Sequence, residues 1–303
     1  MYKFQPLFKD TTHGVQFFLF LGLLIFGLLI GMLTGLVILR LTEGISLSEQ
    51  ANLLNNATNL RPVRILQISS QIGLFLFPPF MLAWAVNATP LPFLGFRPIT
   101  KPIMLFPALL LMFASLPFIH MLSDLNHAIN LPTWLDSLEK WMLLKESQAE
   151  EMTQLFLKVD TTSGLLINLF MIALLPGIGE ELVFRSVVQP YMLKFLSNKH
   201  LGIIITALVF SIIHMQFYGL LPRFALGLFL GYFYYWSGSI FVPILMHFVN
   251  NASAVIAFYL YHNGYSSIPM EDFGSSNSIL TILSGGFVGL LLYSGYRISE
   301  QKA

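Results

Sequence analysis

The sequence predicts an all-α protein, a polytopic membrane bundle of about eight transmembrane helices, and three observations carry that expectation. Hydrophobic residues make up 55% of the 303-residue chain. Charged residues make up only 10%, against roughly 25% in ordinary soluble domains. The apolar residues also come in runs of roughly 20, the length a helix needs to cross a bilayer. With a mean hydropathy of +0.72, a water-soluble fold of this size could not hide the apolar surface it carries.

Segments 15–39, 65–86, 103–122, 163–188, 201–217, 220–236, 240–262 and 278–297 all approach the spanning length. The first, Val15 to Leu39, exceeds the core of a signal peptide, which spans about 7–15 residues. No small-residue cleavage site precedes the next charged segment, so it reads as a retained span. Pro78-Pro79 in the second segment and Pro107 in the third are expected to interrupt their helices, a defect that neighbouring helices compensate inside a bundle. Between the third and fourth segments lies an extramembrane stretch, 123–162. There Leu135, Leu138, Met142, Ala149, Met152 and Phe156 recur at helical spacing with Glu and Lys between them. This predicts an amphipathic helix that lies on the membrane face or covers the bundle. A structural cover is the simpler reading and a substrate gate the second. Without repeats or low-complexity tracts, 1–303 reads as one integral-membrane domain with its polar-residue-bearing core at about 163–262.

The formal net charge of +1 removes strongly basic classes, and nothing points to nucleic acid as a partner. Cysteine is absent, which excludes disulfides and thiolate metal sites. An even number of spans places both termini on one side. The terminal side would hold Lys3, Lys9, Arg97, Lys101, Lys194, Lys199, Arg297 and Lys302. The other side would hold Arg40, Arg61, Arg64, Lys140, Lys145, Lys158 and Arg223. This weak asymmetry leans towards cytoplasmic termini in a plasma or inner membrane.

Carboxylates inside an apolar span cost about 2.5–3.5 kcal/mol each on insertion scales, so they are paired or functional. Glu180 and Glu181 follow the apolar run Leu165 to Leu175, directly after Pro176, Gly177 and Gly179, which should loosen the helix. Arg185 stands four residues beyond Glu181, on the same helix face, and the expected pairing is a salt bridge. Glu180 points about 100° away and has no cation in its own helix, so it is the stronger candidate for chemistry. Phe210 and His214 share a face of the fifth segment, and His247 and Asn251 share a face of the seventh. Alone, each histidine reads more simply as a hydrogen-bonded core residue, and Asn250 and Asn251 as interhelical glue. Depth joins them. At about 1.5 Å per residue, Glu180, His214 and His247 all lie roughly 10–20 Å from the terminal-side face. They can therefore form one buried polar site, expected to open to that side. His120 lacks a partner motif and reads as structural. His13, His127, His200 and His262 lie at span ends or in loops.

Glu180-Glu181-Leu-Val-Phe-Arg185, then Phe210-x-x-x-His214, then His247-x-x-x-Asn251 resemble, in order, the three motifs of the CAAX-protease and bacteriocin-processing family. They fall between Pro176 and Asn251, and the first half of the chain matches only in being hydrophobic. The resemblance implies an intramembrane endopeptidase in which Glu180 activates water while His214, His247 and Asn251 complete the catalytic set. Glu181, Arg185 and Phe210 would be supporting residues. Desolvation makes a buried carboxylate more basic, which suits a general base, and Asn251 can donate to a developing oxyanion. The family is usually labelled metalloprotease. Two imidazoles and a carboxylate could hold zinc, with His214, His247 and Glu180 as ligands. However, no His-Glu-x-x-His helix is present and asparagine is a poor zinc ligand, so a metal-free site stands beside it. The implied partners are the lipid bilayer and a membrane-associated peptide or protein substrate. Two other functions compete. One is a non-catalytic bacteriocin-immunity or scaffold protein that binds a peptide in the same cavity. The other is a proton-relaying transporter, which would need two related halves.

Overall fold

The computed structural model describes residues 5–45, 60–129, 131–269 and 272–301. Lys3 and Lys302, counted above for orientation, lie outside the described residues. Among the described residues the architecture is all-helical, with no strand.

Helix α1, His13–Glu43, starts where the Thr12 hydroxyl accepts a hydrogen bond from the Val15 amide, and it ends at Gly44 in the left-handed region (φ +68°). Gly27, Gly31 and Gly35 recur every four residues on its buried face. They meet Gly73 and Ser69 of α2 (Leu60–Val86), so closely that a methyl group at Gly27 would collide with the Gly73 carbonyl. Small residues take this role in a membrane because lipid supplies no hydrophobic drive between helices, and association depends on close backbone packing. The opposite side of α1 presents Phe18, Ile25 and Leu33 outward, as a lipid-facing surface should.

The prolines behave differently from expectation. Pro78-Pro79 do not break α2, because a π-helical turn at Ile72–Leu76 widens the helix just ahead of them and accommodates the missing N–H groups. Pro107 falls in the first α-helical turn of α3 (Pro102–Ala114), where proline is tolerated. The break in this region comes later, between α3 and α4 (Leu116–His127), which meet at a 47° bend with Pro117 in the first turn of α4. The amphipathic stretch forms α5, Asp136–Leu157. Its C-terminal end is packed, with Met152 and Phe156 against Val63 and Met171. Trp141, Leu143 and Leu144 remain exposed along its length.

The remaining helices are α6 (Thr162–Phe195), α7 (Lys199–Ile212), α8 (Leu220–Ser237), α9 (Phe241–His262) and α10 (Ser278–Glu300). The expected count of eight spans is not confirmed. Five helices, α1, α2, α6, α9 and α10, are long and apolar enough to cross a membrane, and a sixth results if the bent α3–α4 pair is one span. Helix α7 has 14 residues, about 21 Å, which is short of a hydrocarbon core of about 30 Å. Helix α8 begins Leu-Leu-Pro-Arg and ends Tyr-Tyr-Trp-Ser, which lowers its apolarity.

Two sets of contacts define the faces of the bundle. On the terminal face the Phe8 amide donates to the Ala85 carbonyl, and the Tyr191 hydroxyl bonds Gln16 at 3.0 Å. Lys101 Nζ donates there to the Ile298 carbonyl at 3.0 Å. On the opposite face Asn126 Nδ2 donates to the Phe217 carbonyl at 2.9 Å, and Asn168 Nδ2 to the Phe156 carbonyl at 2.7 Å. His262 also meets Asp160 there, at 3.1 Å. Helix α6 runs between these faces, packed on α2 on one side and α9 on the other.

Candidate active site

Helix α6 is continuous but uneven. Its α-helical segment Leu175–Val183 lies between π-helical turns at Leu169–Leu174 and Phe184–Val188. Such turns rotate the side chains that follow them and recur at functional sites. Pro176 is absorbed at the start of the middle segment. The glycines serve contact: a methyl group at Gly179 would lie 2.6 Å from Phe75 Cβ, and one at Gly177 would lie 3.2 Å from the Phe248 amide. With no side chain at these two positions, α2 and α9 close on α6 at the level of the two glutamates.

Glu181 faces inward and is fully buried, as is Arg185, and their atoms Oε1 and Nη1 are 2.8 Å apart. Arg185 also donates from Nη2 to the Gly227 carbonyl of α8 at 3.1 Å, and its guanidinium lies 4.8 Å from the Phe210 ring centroid. The sequence reading assigned Glu181 this one partner. The structure adds a second, because His247 Nδ1 donates to the same Oε1 at 2.8 Å. Glu181 therefore joins three helices: its own, α9 through His247, and α8 through Arg185.

Glu180 turns the other way, onto the wall of a cavity of about 390 Å³. Its Oε2 is buried and takes no hydrogen bond among the described residues. It lies 3.8 Å from His214 Nε2 and 4.0 Å from His247 Nε2. His214 does not sit within α7 as the spacing suggested. The helix ends at Ile212, and His214 occupies the turn beyond it, where Met215 takes a left-handed conformation (φ 56°). His214 Nδ1 donates to the Phe210 carbonyl at 2.7 Å, and the two rings meet edge-on at 5.0 Å. Phe210 also meets the His247 ring edge-on at 6.0 Å. Phe210 thus packs against the Arg185 guanidinium and both imidazole rings.

Both tautomers follow from these bonds. The Phe210 carbonyl and the Glu181 carboxylate can only accept, so each histidine carries its proton on Nδ1. A neutral ring in this tautomer presents a lone pair at Nε2, and both Nε2 atoms face Glu180. Asn251 also lines the cavity. Its Nδ2 donates to the Ile172 carbonyl at 3.2 Å and its Oδ1 accepts from Asn250, which leaves one N–H on Nδ2. Glu180, His214, His247 and Asn251 therefore meet on one cavity, with Phe210 in its wall and Glu181 and Arg185 packed behind it.

The direction of opening corrects the sequence reading. The cavity does not open to the terminal side. Its lining continues from Glu180 and His247 to Thr153, Leu157, Gln216 and Arg223, which lie on α5 and around the α7–α8 connection, at the opposite face. Equal depth from one face locates the floor of a cavity and leaves its mouth undetermined. Thr153, Leu157 and Arg223 are among the lining residues that escaped sequence reasoning. Thr153 and Leu157 come from the amphipathic helix. Arg223 had been counted only as an orientation charge. Its position beside Pro222 in an apolar run was a usable signal. Its guanidinium is held by Gln216, through the carbonyl at 3.0 Å and Oε1 at 2.6 Å. The other histidines are engaged elsewhere: His120 with Asp124 at 3.3 Å, His200 with the Tyr232 hydroxyl at 2.9 Å, and His127 stacked on Tyr218.

The donor chemistry at the centre would suit zinc, but the spacing does not. Zinc bonds of about 2.0–2.1 Å in a tetrahedron place ligand atoms about 3.3–3.5 Å apart, shorter than the 3.8 and 4.0 Å between Glu180 and the two imidazoles. Among the described residues, no three His, Cys, Asp or Glu side chains are grouped to hold a metal.

Fold and site together define a helical membrane protein with a buried carboxylate–imidazole cavity. Comparison with known proteins places its motif-bearing segment. Residues 162–253 match the family model described as type II CAAX prenyl endopeptidase Rce1-like, the same stretch that carries Glu180, His214, His247 and Asn251. The chain is also 29% identical over 89 residues to the uncharacterized protein YpbD of Bacillus subtilis (strain 168), a match covering 28% of this chain and 42% of that protein. The matched stretch is thus under half of that relative's length. No solved structure matches the chain.

Proposed function

We propose that the protein is an intramembrane endopeptidase in which Glu180 activates water for attack on a peptide bond of a membrane-associated protein. One observation carries this reading: Glu180 Oε2 faces two imidazole Nε2 atoms, of His214 at 3.8 Å and of His247 at 4.0 Å, and in the neutral tautomer each Nε2 is an acceptor. Those separations exceed a direct hydrogen bond. A water molecule between them donates one hydrogen to Glu180 and the other to an imidazole, so that its oxygen lone pair is free for a carbonyl carbon. Glu180 takes the first proton as the C–O bond forms, and the remaining N–H of Asn251 donates to the oxyanion. The proton then passes from Glu180 to the leaving amide nitrogen as the C–N bond breaks. Glu181 holds His247 in the required tautomer, and Arg185 balances Glu181. The family match over 162–253 supports the reaction class. No step passes through a metal, since the ligand spacing does not fit one. Substrate enters from the face opposite the termini, past Thr153, Leu157 and Arg223.

The test is cleavage of a membrane-anchored peptide library by purified wild type and Glu180→Gln, with and without a zinc chelator. General-base catalysis contributes typically 10²–10⁴-fold, so turnover falls by about that factor while peptide binding persists. Equal cleavage by both proteins removes Glu180 as the base. Binding by both with cleavage by neither favours the immunity or scaffold reading. Loss of activity with chelator, restored by zinc, replaces the metal-free route.

A further inference from the structure

The terminal face carries a second, unrelated cavity. It measures about 370 Å³ and lies between the loop after α2 and the terminal-face ends of α6 and α8. Arg97 and Lys194 stand exposed at its rim, with Thr89, Tyr234 and Tyr235 adding hydroxyl groups. Neither cation is in an ion pair among the described residues. Arg97 donates from Nε to the Pro92 carbonyl at 3.3 Å, which leaves both terminal nitrogens of its guanidinium. Lys194 lies over the Tyr191 ring at 5.1 Å. The wall is braced, because the Ser239 hydroxyl donates to the Arg97 carbonyl at 2.7 Å and the Ile240 amide to the Gly95 carbonyl at 2.9 Å.

Tyr235 also lines a neighbouring groove of about 440 Å³, walled by Ile203, Trp236, Leu292, Tyr293 and Tyr296, with Lys199 and the hydrogen-bonded His200–Tyr232 pair also lining it. Among the described residues, no Asp or Glu lines either cavity. A cationic, hydroxyl-rich cup thus adjoins a largely aromatic groove with basic side chains in its lining, at the level where helix ends meet the polar interface of a bilayer. Aromatic and basic side chains gather at that level because their tips are solvated there while their bodies contact acyl chains.

We propose that these two cavities form one binding site for an anionic glycerophospholipid, its phosphate between Arg97 and Lys194 and an acyl chain along the Trp236–Tyr296 groove. A free phosphate shares the headgroup chemistry but leaves the aromatic groove without a function. The site is separate from the Glu180 cavity and does not depend on the proposed reaction.

The experiment measures lipid retention by native mass spectrometry, and melting temperature, for the full chain in neutral detergent. The probes are phosphatidylglycerol, phosphatidylcholine with the same acyl chains, and inorganic phosphate. Phosphatidylglycerol is expected to be retained and to raise the melting temperature more than phosphatidylcholine does, with inorganic phosphate alone ineffective. Each basic side chain near a membrane surface is worth about fivefold in affinity. Arg97→Gln/Lys194→Gln should therefore weaken phosphatidylglycerol on the order of 20-fold, with its melting temperature in lipid-free detergent unchanged. If the double variant does not fold, Lys194→Gln alone reads the same effect at about fivefold. Equal retention of both lipids, or an unchanged affinity in the charge variants, overturns the proposal. Inorganic phosphate reproducing the full shift makes this a free-phosphate site and overturns the lipid assignment.

Discussion

Glu180 and Glu181 are adjacent, identical in chemistry and carried on the same turn of α6, yet they stand in opposite environments. Behind the helix, Glu181 lies in a closed region in which one oxygen serves both Arg185 and His247, with the carboxylate and the guanidinium fully buried. In front of it, Glu180 faces a cavity, and its buried Oε2 takes no hydrogen bond among the described residues. The step of about 100° per residue decides which carboxylate turns to the helix interface and which turns to the cavity. A buried charge whose partners are all internal serves the fold. One that faces a cavity beside two imidazoles is the candidate for chemistry.

The two regions should respond differently to substitution. The largest effect is expected in the closed one. Arg185→Ala leaves the Glu181 charge buried without its cation and should cost about 3–5 kcal/mol. The melting temperature in detergent should fall sharply, whereas Glu180→Gln should leave it unchanged. Equal melting temperatures for wild type and Arg185→Ala would show that the ion pair does not hold the bundle together. An intermediate effect belongs to the open region. Asn251→Ala removes the proposed oxyanion donor and should lower kcat about 10²–10³-fold with little change in KM. A rise in KM with kcat unchanged would instead make Asn251 a ground-state contact. The smallest effect concerns the turn that delivers His214. Met215 pays for its left-handed backbone with about 1–2 kcal/mol, so Met215→Gly relieves strain while freeing the turn. Its expected signature is an unchanged or slightly raised melting temperature with reduced turnover. A lowered melting temperature would show that the Met215 side chain, 38% exposed, contributes more by packing than its backbone costs.

Much of this contrast was legible before any coordinates. Helical periodicity placed Arg185 beneath Glu181 and left Glu180 unpaired, and the depth estimate brought His214 and His247 to the same level. Those inferences worked because they concern neighbours within one helix, or a rise per residue that every helix shares. The second partner of Glu181 was not legible. His247 reaches it from 66 residues away, and nothing local in either segment records that approach. The Pro78-Pro79 expectation failed for a related reason. A π-helical turn supplies one extra residue upstream of Pro78, and hydropathy carries no information about it.

The amino-acid sequence by itself determined the solvent of this protein, its helical class and the segment that holds its chemistry. Those depend on composition, on a period of 3.6 residues and on rare charges in apolar runs, all of which are local. Only the tertiary structure decided how many helices are long enough to span, which face the cavity opens to, and that α5 and Arg223 contribute to its wall. Such features arise where helices distant in the chain pack against one another. Their contacts depend on small residues such as Gly177 and Gly179, whose absent side chains allow that approach.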